Sequence, residues 1–200
     1  AEVFERIASL LEIKGELVFK TIAYRRAAES LRALAEDAGA LRDEDRLSEI
    51  PGVGKAITQK IEELLDTGEL GFLKRLEEEV PPSLIELLKI PDVGPRKATL
   101  FWKQAGITTL AELEKAAQAG ELRNLPGMGV KSEERILEGI AAYRRSTRRH
   151  PLPVARSMSR PILNWLAGQP GVSHAQAAGS MRRWKPDIGD VDIVFASADP

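Results

Sequence analysis

The chain has no cysteine and only two histidines in 200 residues. That excludes disulfides, Cys-ligated zinc and a His-rich metal site. No apolar run approaches the length of a membrane span, so no membrane partner is expected. No basic-then-apolar leader opens the chain, so we expect no export and a cytoplasmic location. Charge of one sign is also scarce: the formal net charge is −1. The overall field therefore does not advertise nucleic-acid binding. The distribution says more. From Ala141 to Arg160 there are six arginines and no acid. Any contact with DNA must be local, through patches and backbone amides. Hydrophobic content of 43% and charged content of 30% are those of a globular protein. The length suits one or two domains, or several small ones.

Apolar groups at Val3, Phe4, Ile7, Leu10 and Leu11 have helical spacing, and Lys14-Gly15 ends that helix. A second helix is predicted from about Leu17 to Ala38, with Ile22, Ala23, Leu31 and Leu34 inward. Lys20 and Tyr24 are four apart and share a face of it. Leu41 to Glu49 is charged and turn-rich.

One pattern then occurs three times, about 35 to 40 residues apart. It reads Ile50-Pro51-Gly52-Val53-Gly54-Lys55, then Ile90-Pro91-Asp92-Val93-Gly94-Pro95, then Leu125-Pro126-Gly127-Met128-Gly129-Val130. A helix follows each copy: Ile57, Ile61, Leu64 and Leu65 point inward after the first, Ala98, Leu100 and Phe101 line the second, and Ile136, Leu137 and Ile140 point inward in the third. The glycines allow φ > 0 and bring backbone close to a partner. Val53, Val93 and Met128 plug between helices. Each following helix offers free N–H groups and the positive end of its dipole, which suits a phosphate without base contact. Ser83 is placed as the N-cap of a helix from Leu84 to Lys89. Val154 to Ala167 has helical apolar spacing at Met158, Ile162 and Leu166, and Pro161 predicts a kink or a fresh start.

The last stretch carries the chemistry. A strand from about Ser173 to Ala178 delivers Gly179-Ser180-Met181-Arg182-Arg183, read as a turn and short loop. Gly189-Asp190-Val191-Asp192-Ile193-Val194 follows as a strand. Period 2 puts Asp190 and Asp192 on one face, about 7 Å apart, where a hard divalent cation relieves their repulsion. Gly-Ser and two arginines nearby complete a phosphate-and-metal constellation.

This stretch resembles the nucleotidyltransferase signature of the DNA polymerase beta family, also called family X. The repeated turn resembles the helix-hairpin-helix motif, and its third copy, Leu125 to Lys131, resembles the bacterial branch. The resemblance implies a mainly α fold of helix-hairpin-helix domains followed by the start of an α+β nucleotidyltransferase palm. It implies a lyase-like domain over 1–79, a fingers-like domain over 80–149 and the opening of the palm over 150–200.

Carried over by motif, Asp190 and Asp192 are catalytic metal ligands for Mg²⁺ or Mn²⁺. Gly179, Ser180, Arg183 and Gly189 hold the incoming deoxynucleoside triphosphate, with Arg149 at its terminal phosphate. Gly52, Val53, Gly54 and Lys55 form the template-side grip. Val93, Gly94, Arg96 and Lys97 form the primer-side grip, with Gly127 and Gly129 in the third hairpin. Hairpin carbonyls bind a monovalent cation in this family. Lys60 matches the nucleophile of 5′-deoxyribose-phosphate lyase members, and Lys20 and Tyr24 match residues on the 5′-phosphate. A family phosphate-binding lysine falls on Ala56, and a histidine on Phe19.

The implied protein is a monomeric, nucleoid-associated polymerase filling short gaps in base excision repair on gapped or primed duplex DNA. The third catalytic carboxylate and the thumb are expected beyond Pro200, so the isolated 200 residues are not expected to extend a primer. Two other readings stay open on the residues alone. One is a non-catalytic DNA-binding module of tandem hairpins. The other is a non-templated nucleotidyltransferase.

Overall fold

The computed structural model describes residues 1–147 and 149–197. It divides into two compact units, 1–140 and 141–200.

The first unit is helical and is organised around α1 (Glu2–Lys14). Phe4, Ile7, Leu10, Leu11 and Ile13 are all buried, on more than one face of the helix. A helix apolar on several faces must be surrounded, and α1 touches four others: α2 (Val18–Ala33), α5 (Gly71–Glu79), α6 (Leu84–Leu87) and α7 (Pro95–Ala105). Each such side chain contributes about 1.5–3 kcal/mol by leaving water. Gly15 stops α1 in the left-handed conformation, φ +85°.

Helix α2 packs on α1 through Ala27 and Ala28, whose small side chains let the two axes close. Ala23, Leu31 and Leu34 pack against the same core as expected, and Ile22 does not. Ile22 is 43% exposed, and the helix ends at Ala33 rather than Ala38. Asp37 starts a separate helix, α3 (Ala38–Asp43), by accepting from Gly39 N at 2.8 Å and Ala40 N at 3.2 Å. A 3₁₀ turn at Leu47–Glu49 leads to α4 (Lys55–Thr67), capped by Gly68 at φ +73°. Ile57 and Ile61 of α4 are buried, whereas Leu65 is exposed.

Ser83 sits before α6 without a capping bond, because its own backbone is already helical (φ −59°, ψ −24°). After α7 come α8 (Leu110–Gln118), opened by a Thr109/Glu112 capping box, and a 3₁₀ turn at Leu122–Asn124. Helix α9 (Val130–Thr147) buries Ile136 and Ile140.

In the second unit, β1 (His150–Pro151) pairs antiparallel with β3 (Asp187–Ile188). β2 (Val172–Ala177) pairs antiparallel with β4 (Ile193–Ser197), with Ala177 opposite Ile193. Helix α10 (Leu152–Ala167) runs through Pro161 unbroken. Only the bond to the Ser157 carbonyl is lost there, on a face open to water. The inward residues of α10 are Ala155 and Ser159, packed with Met181 and Ile188. Met158 and Ile162 are exposed. Gly179–Arg182 is a single helical turn, α11, not a loop. These short strands behind a helical body are the start of a palm. No helix among the described residues is long and apolar enough to cross a membrane.

Candidate nucleic-acid interface

The three repeats fold into the same turn. Val53 N donates to Ile50 O, Val93 N to Ile90 O and Met128 N to Leu125 O, each at 3.0 Å. The residue before the plug is left-handed in every copy: Gly52 at φ +80°, Asp92 at +66° and Gly127 at +73°. Aspartate tolerates that region better than most residues, which explains why the second copy survives without glycine. Val53 and Val93 are buried, and Met128 is half-buried.

The second glycine of each copy behaves differently. Gly54 and Gly94 have ordinary extended backbones (φ −89° in both). A Cβ added at either would meet nothing within 4 Å. Neither strain nor packing within the chain asks for glycine there. Gly54 O accepts from Ile57 N and Thr58 N, and Gly94 O from Ala98 N. The amides of Lys55 and Ala56, and of Arg96 and Lys97, are thus first-turn donors without an intrahelical acceptor. Bare backbone beside open amides at a helix start is a surface an anion can approach closely. Gly129 has the same open surroundings.

The third copy carries an internal anchor. Glu133 is buried, and its carboxylate accepts from Arg123 N at 3.1 Å and Arg123 Nε at 2.8 Å. The Arg123 guanidinium beside it holds the Glu133 carboxyl below the usual range. Glu134 is exposed. Asp92 lies 3.7 Å from Arg135, which offsets its charge beside the second hairpin.

Two cavities flank the start of α2. The first, of about 590 Å³, is lined by Lys20, Tyr24, Lys55 and Phe72 among others. Tyr24 stacks between Phe4 (6.2 Å) and Phe72 (5.9 Å), and burial pushes its hydroxyl up from the ordinary value. Lys60 does not line this cavity. Its Nζ donates to Ala56 O at 3.2 Å and sits over the Phe72 ring at 5.1 Å, so one aromatic ring connects it to the cavity. The second cavity, of about 750 Å³, is lined by Gly94, Arg96, Lys97, Ile22 and Arg25. Sequence reasoning missed the half-buried Phe72, which carries no motif, and placed Ile22 inward rather than at a cavity.

In the second unit, pairing of β2 with β4 continues for one bond past Ala177, from Ala178 N to Asp192 O at 2.8 Å. The chain then turns into α11, so β2 offers no further residue for Asp190 and Val191 to pair with. Asp190 and Asp192 therefore lie in the segment leading into β4, not on the strand as expected. Gly179, at φ +53°, lies so near Asp192 that a Cβ there would overlap its carboxylate. Ser180 Oγ is buried and has no hydrogen-bond partner among the described residues.

Pairing of β1 with β3 brings Arg149 beside Gly189, where a Cβ would lie 3.4 Å from Arg149 Nη1. Arg149 is ion-paired with Asp187 and donates to Asp187 O at 3.0 Å. Arg148 lies outside the described residues. Arg183 is exposed at the end of α11 and is joined to neither aspartate among the described residues. Trp184 follows at φ +56°, with the Arg156 guanidinium 3.7 Å from its ring centre. The structure thus gathers Gly179, Ser180 and Asp192, sets Arg149 with Gly189, and leaves Arg183 and Asp190 facing solvent. No cluster of three or more His, Asp or Glu is present among the described residues.

Repeated helical turns with bare glycines, followed by a palm opening that carries Gly-Ser and Asp-x-Asp, define a tandem helix-hairpin-helix protein joined to a nucleotidyltransferase start. Residues 1–70 match the family described as a helix-hairpin-helix domain, and residues 84–142 match the SAM-like helix-hairpin-helix tandem. The chain is 32% identical to the DNA polymerase/3′-5′ exonuclease PolX of Bacillus subtilis (strain 168) over 198 residues, covering 99% of this chain and 34% of that protein. It is 24% identical to DNA polymerase lambda of Rattus norvegicus over 199 residues, 99% of this chain and 31% of the relative. It is 28% identical to DNA polymerase lambda of Arabidopsis thaliana over 156 residues, 78% of this chain and 27% of the relative. The chain is thus similar over nearly its whole length to DNA polymerases of family X, and it carries helix-hairpin-helix domains. It spans about a third or less of the length of these curated relatives.

Proposed function

We propose that this chain is the DNA-gripping and nucleotide-engaging part of a template-directed DNA polymerase of the beta type. Its substrates are gapped or primed duplex DNA and a deoxynucleoside triphosphate, and its role is short-gap filling in base excision repair. It works as a monomer in the cytoplasm, at the nucleoid. One observation carries the reading: both sites hold donors that the fold itself does not use. They are the open amides beside Gly54 and Gly94 and the unpartnered Ser180 hydroxyl.

In this reading the first hairpin (Gly52, Val53, Gly54, Lys55) takes the template side. The second (Val93, Gly94, Arg96, Lys97) takes the primer side, and Gly127 and Gly129 add a third contact. Hairpin carbonyls offer oxygens to a monovalent cation. The lyase-like domain covers 1–79, the fingers-like domain 80–149, and the palm begins at 150. Ser180, Arg183 and Arg149 bind the triphosphate, and Gly179 and Gly189 leave it room. Asp190 and Asp192 fit a hard cation: both carboxylates are free of ion pairs and hydrogen bonds among the described residues, and Asp192 abuts the empty side of Gly179. Mg²⁺ or Mn²⁺ held there supplies charge neutralisation at the phosphates.

Asp192→Ala in the full-length polymerase should abolish nucleotide incorporation in primer extension while gapped-DNA binding persists. Equal extension by the variant removes the aspartate from the mechanism. A lyase activity is proposed for the first cavity, with Lys60 as nucleophile and Lys20, Tyr24 and Lys55 on the 5′-phosphate. Borohydride trapping on 5′-incised abasic DNA should give an adduct that Lys60→Ala abolishes. An adduct that survives Lys60→Ala but not Lys55→Ala would move the nucleophile to a residue that lines the cavity.

A further inference from the structure

Glu16 reaches the first cavity through a backbone device. The left-handed Gly15 lets Glu16 N donate back to Leu11 O at 2.9 Å. The side chain is delivered to the cavity lining, where Lys14, Lys20 and Lys55 also lie. Its carboxylate accepts from Lys20 Nζ at 3.0 Å and lies 3.4 Å from Lys14 Nζ. Lys14 is held a second time, by Glu79 at 2.6 Å. The two lysines, Lys20 foremost, keep the Glu16 carboxyl below its usual range. The cations at this cavity therefore already carry an anion of the chain's own.

We propose that Glu16 sets the affinity of the first cavity for a terminal phosphate, by occupying Lys20 until the phosphate displaces it. The inference rests on the reading of this cavity as a 5′-phosphate grip. A phosphate monoester carries about −1.5 to −2 charges at neutral pH. It needs the donors of Lys20, and it meets a like charge at the cavity while Glu16 is there. The pair joins a residue in the α1–α2 connection to the first turn of α2 and stays open to water, so it is weak. Exchange of carboxylate for phosphate is therefore easy, and the chief cost to the ligand is repulsion by Glu16. Glu12 supplies a built-in comparison. It lies one turn earlier, pairs with Arg25, and lines the second cavity, which Glu16 also borders, but not the first.

The test is binding of the 200-residue chain to gapped duplexes that end in a 5′-phosphate or a 5′-hydroxyl, followed by fluorescence anisotropy. Glu16→Gln should bind the phosphorylated gap about three- to tenfold more tightly, with little change for the hydroxyl end. Glu12→Gln, with the same change of net charge, should not reproduce that selectivity. In a Lys20→Ala background the gain should vanish, since the partner it releases is gone. Equal tightening for both ends, or a gain that persists without Lys20, overturns the proposal. A different failure marks the underlying reading. If the unaltered chain binds both ends alike and Lys20→Ala changes nothing, the cavity is not a phosphate grip, and the role of Glu16 falls with it.

Discussion

Two residues of one motif show how differently a glycine can be used. Gly52 needs its missing side chain: φ is +80°, and a Cβ would sit 3.2 Å from Arg26 Cβ. Gly54, two positions on, needs nothing from the fold. Gly52→Ala should therefore destabilise the first unit by about 1–2 kcal/mol, read as a lower denaturant midpoint. Gly54→Ala should leave stability unchanged or raise it by about 0.4–1 kcal/mol, yet weaken DNA binding. A Gly54→Ala chain that is folded and binds DNA as before would leave the hairpin a purely structural turn. Ser180 follows the same logic in the second unit. Its hydroxyl is buried and unpartnered, so Ser180→Ala removes no internal bond. On the proposed function, in the full-length protein it should raise KM for the nucleotide by roughly tenfold, the worth of a hydrogen bond to a charged group, with the melting temperature held or raised.

At the scale of elements, the sequence shows best what is local. The three hairpins are legible because turn chemistry is local: left-handed residue, apolar plug and helix start fall within six positions. Helix α1 is legible from its periodicity and from Gly15. The face of α2 is legible from Ala23, Leu31 and Leu34 but not from Ile22, and that of α10 is not legible, because Ala27, Ala28, Ala155 and Ser159 take the tightest places. Hydrophobicity points to Ile22, Met158 and Ile162 instead, while close helix contact selects small residues. Asp190 and Asp192 were legible as a pair but not in their conformation. Whether they lie on a strand depends on where β2 ends, a partner thirteen residues upstream of Asp190. The Arg149–Gly189 contact is likewise invisible until β1 meets β3.

The Glu133–Arg123 pair gives the third hairpin a pH dependence. Arg123 holds the Glu133 carboxyl below its usual value in the folded chain. The stabilisation is therefore complete above the unfolded value, about pH 4.3, and is lost as pH falls through the lower folded value. Glu133→Gln should lower the melting temperature at neutral pH and flatten its fall below about pH 4.3.

At the scale of the whole molecule, net charge and grip are separate matters. The chain is nearly neutral, so long-range attraction to DNA is weak and binding must rest on a few short contacts. Affinity should fall steeply with salt, with a slope set by the handful of phosphates engaged, and should differ little between DNA sequences of equal length. A flat salt dependence measured by anisotropy would point to a partner other than a polyanion. The unneeded glycines also matter to anyone who would harden this protein against heat. Exchanging loop glycines for alanine is a routine stabilising step where the backbone allows it, and Gly54 and Gly94 pass that criterion while Gly52 fails it. A campaign guided by melting temperature alone would select changes at those two positions, and would yield a tougher protein that has lost its hold on the substrate.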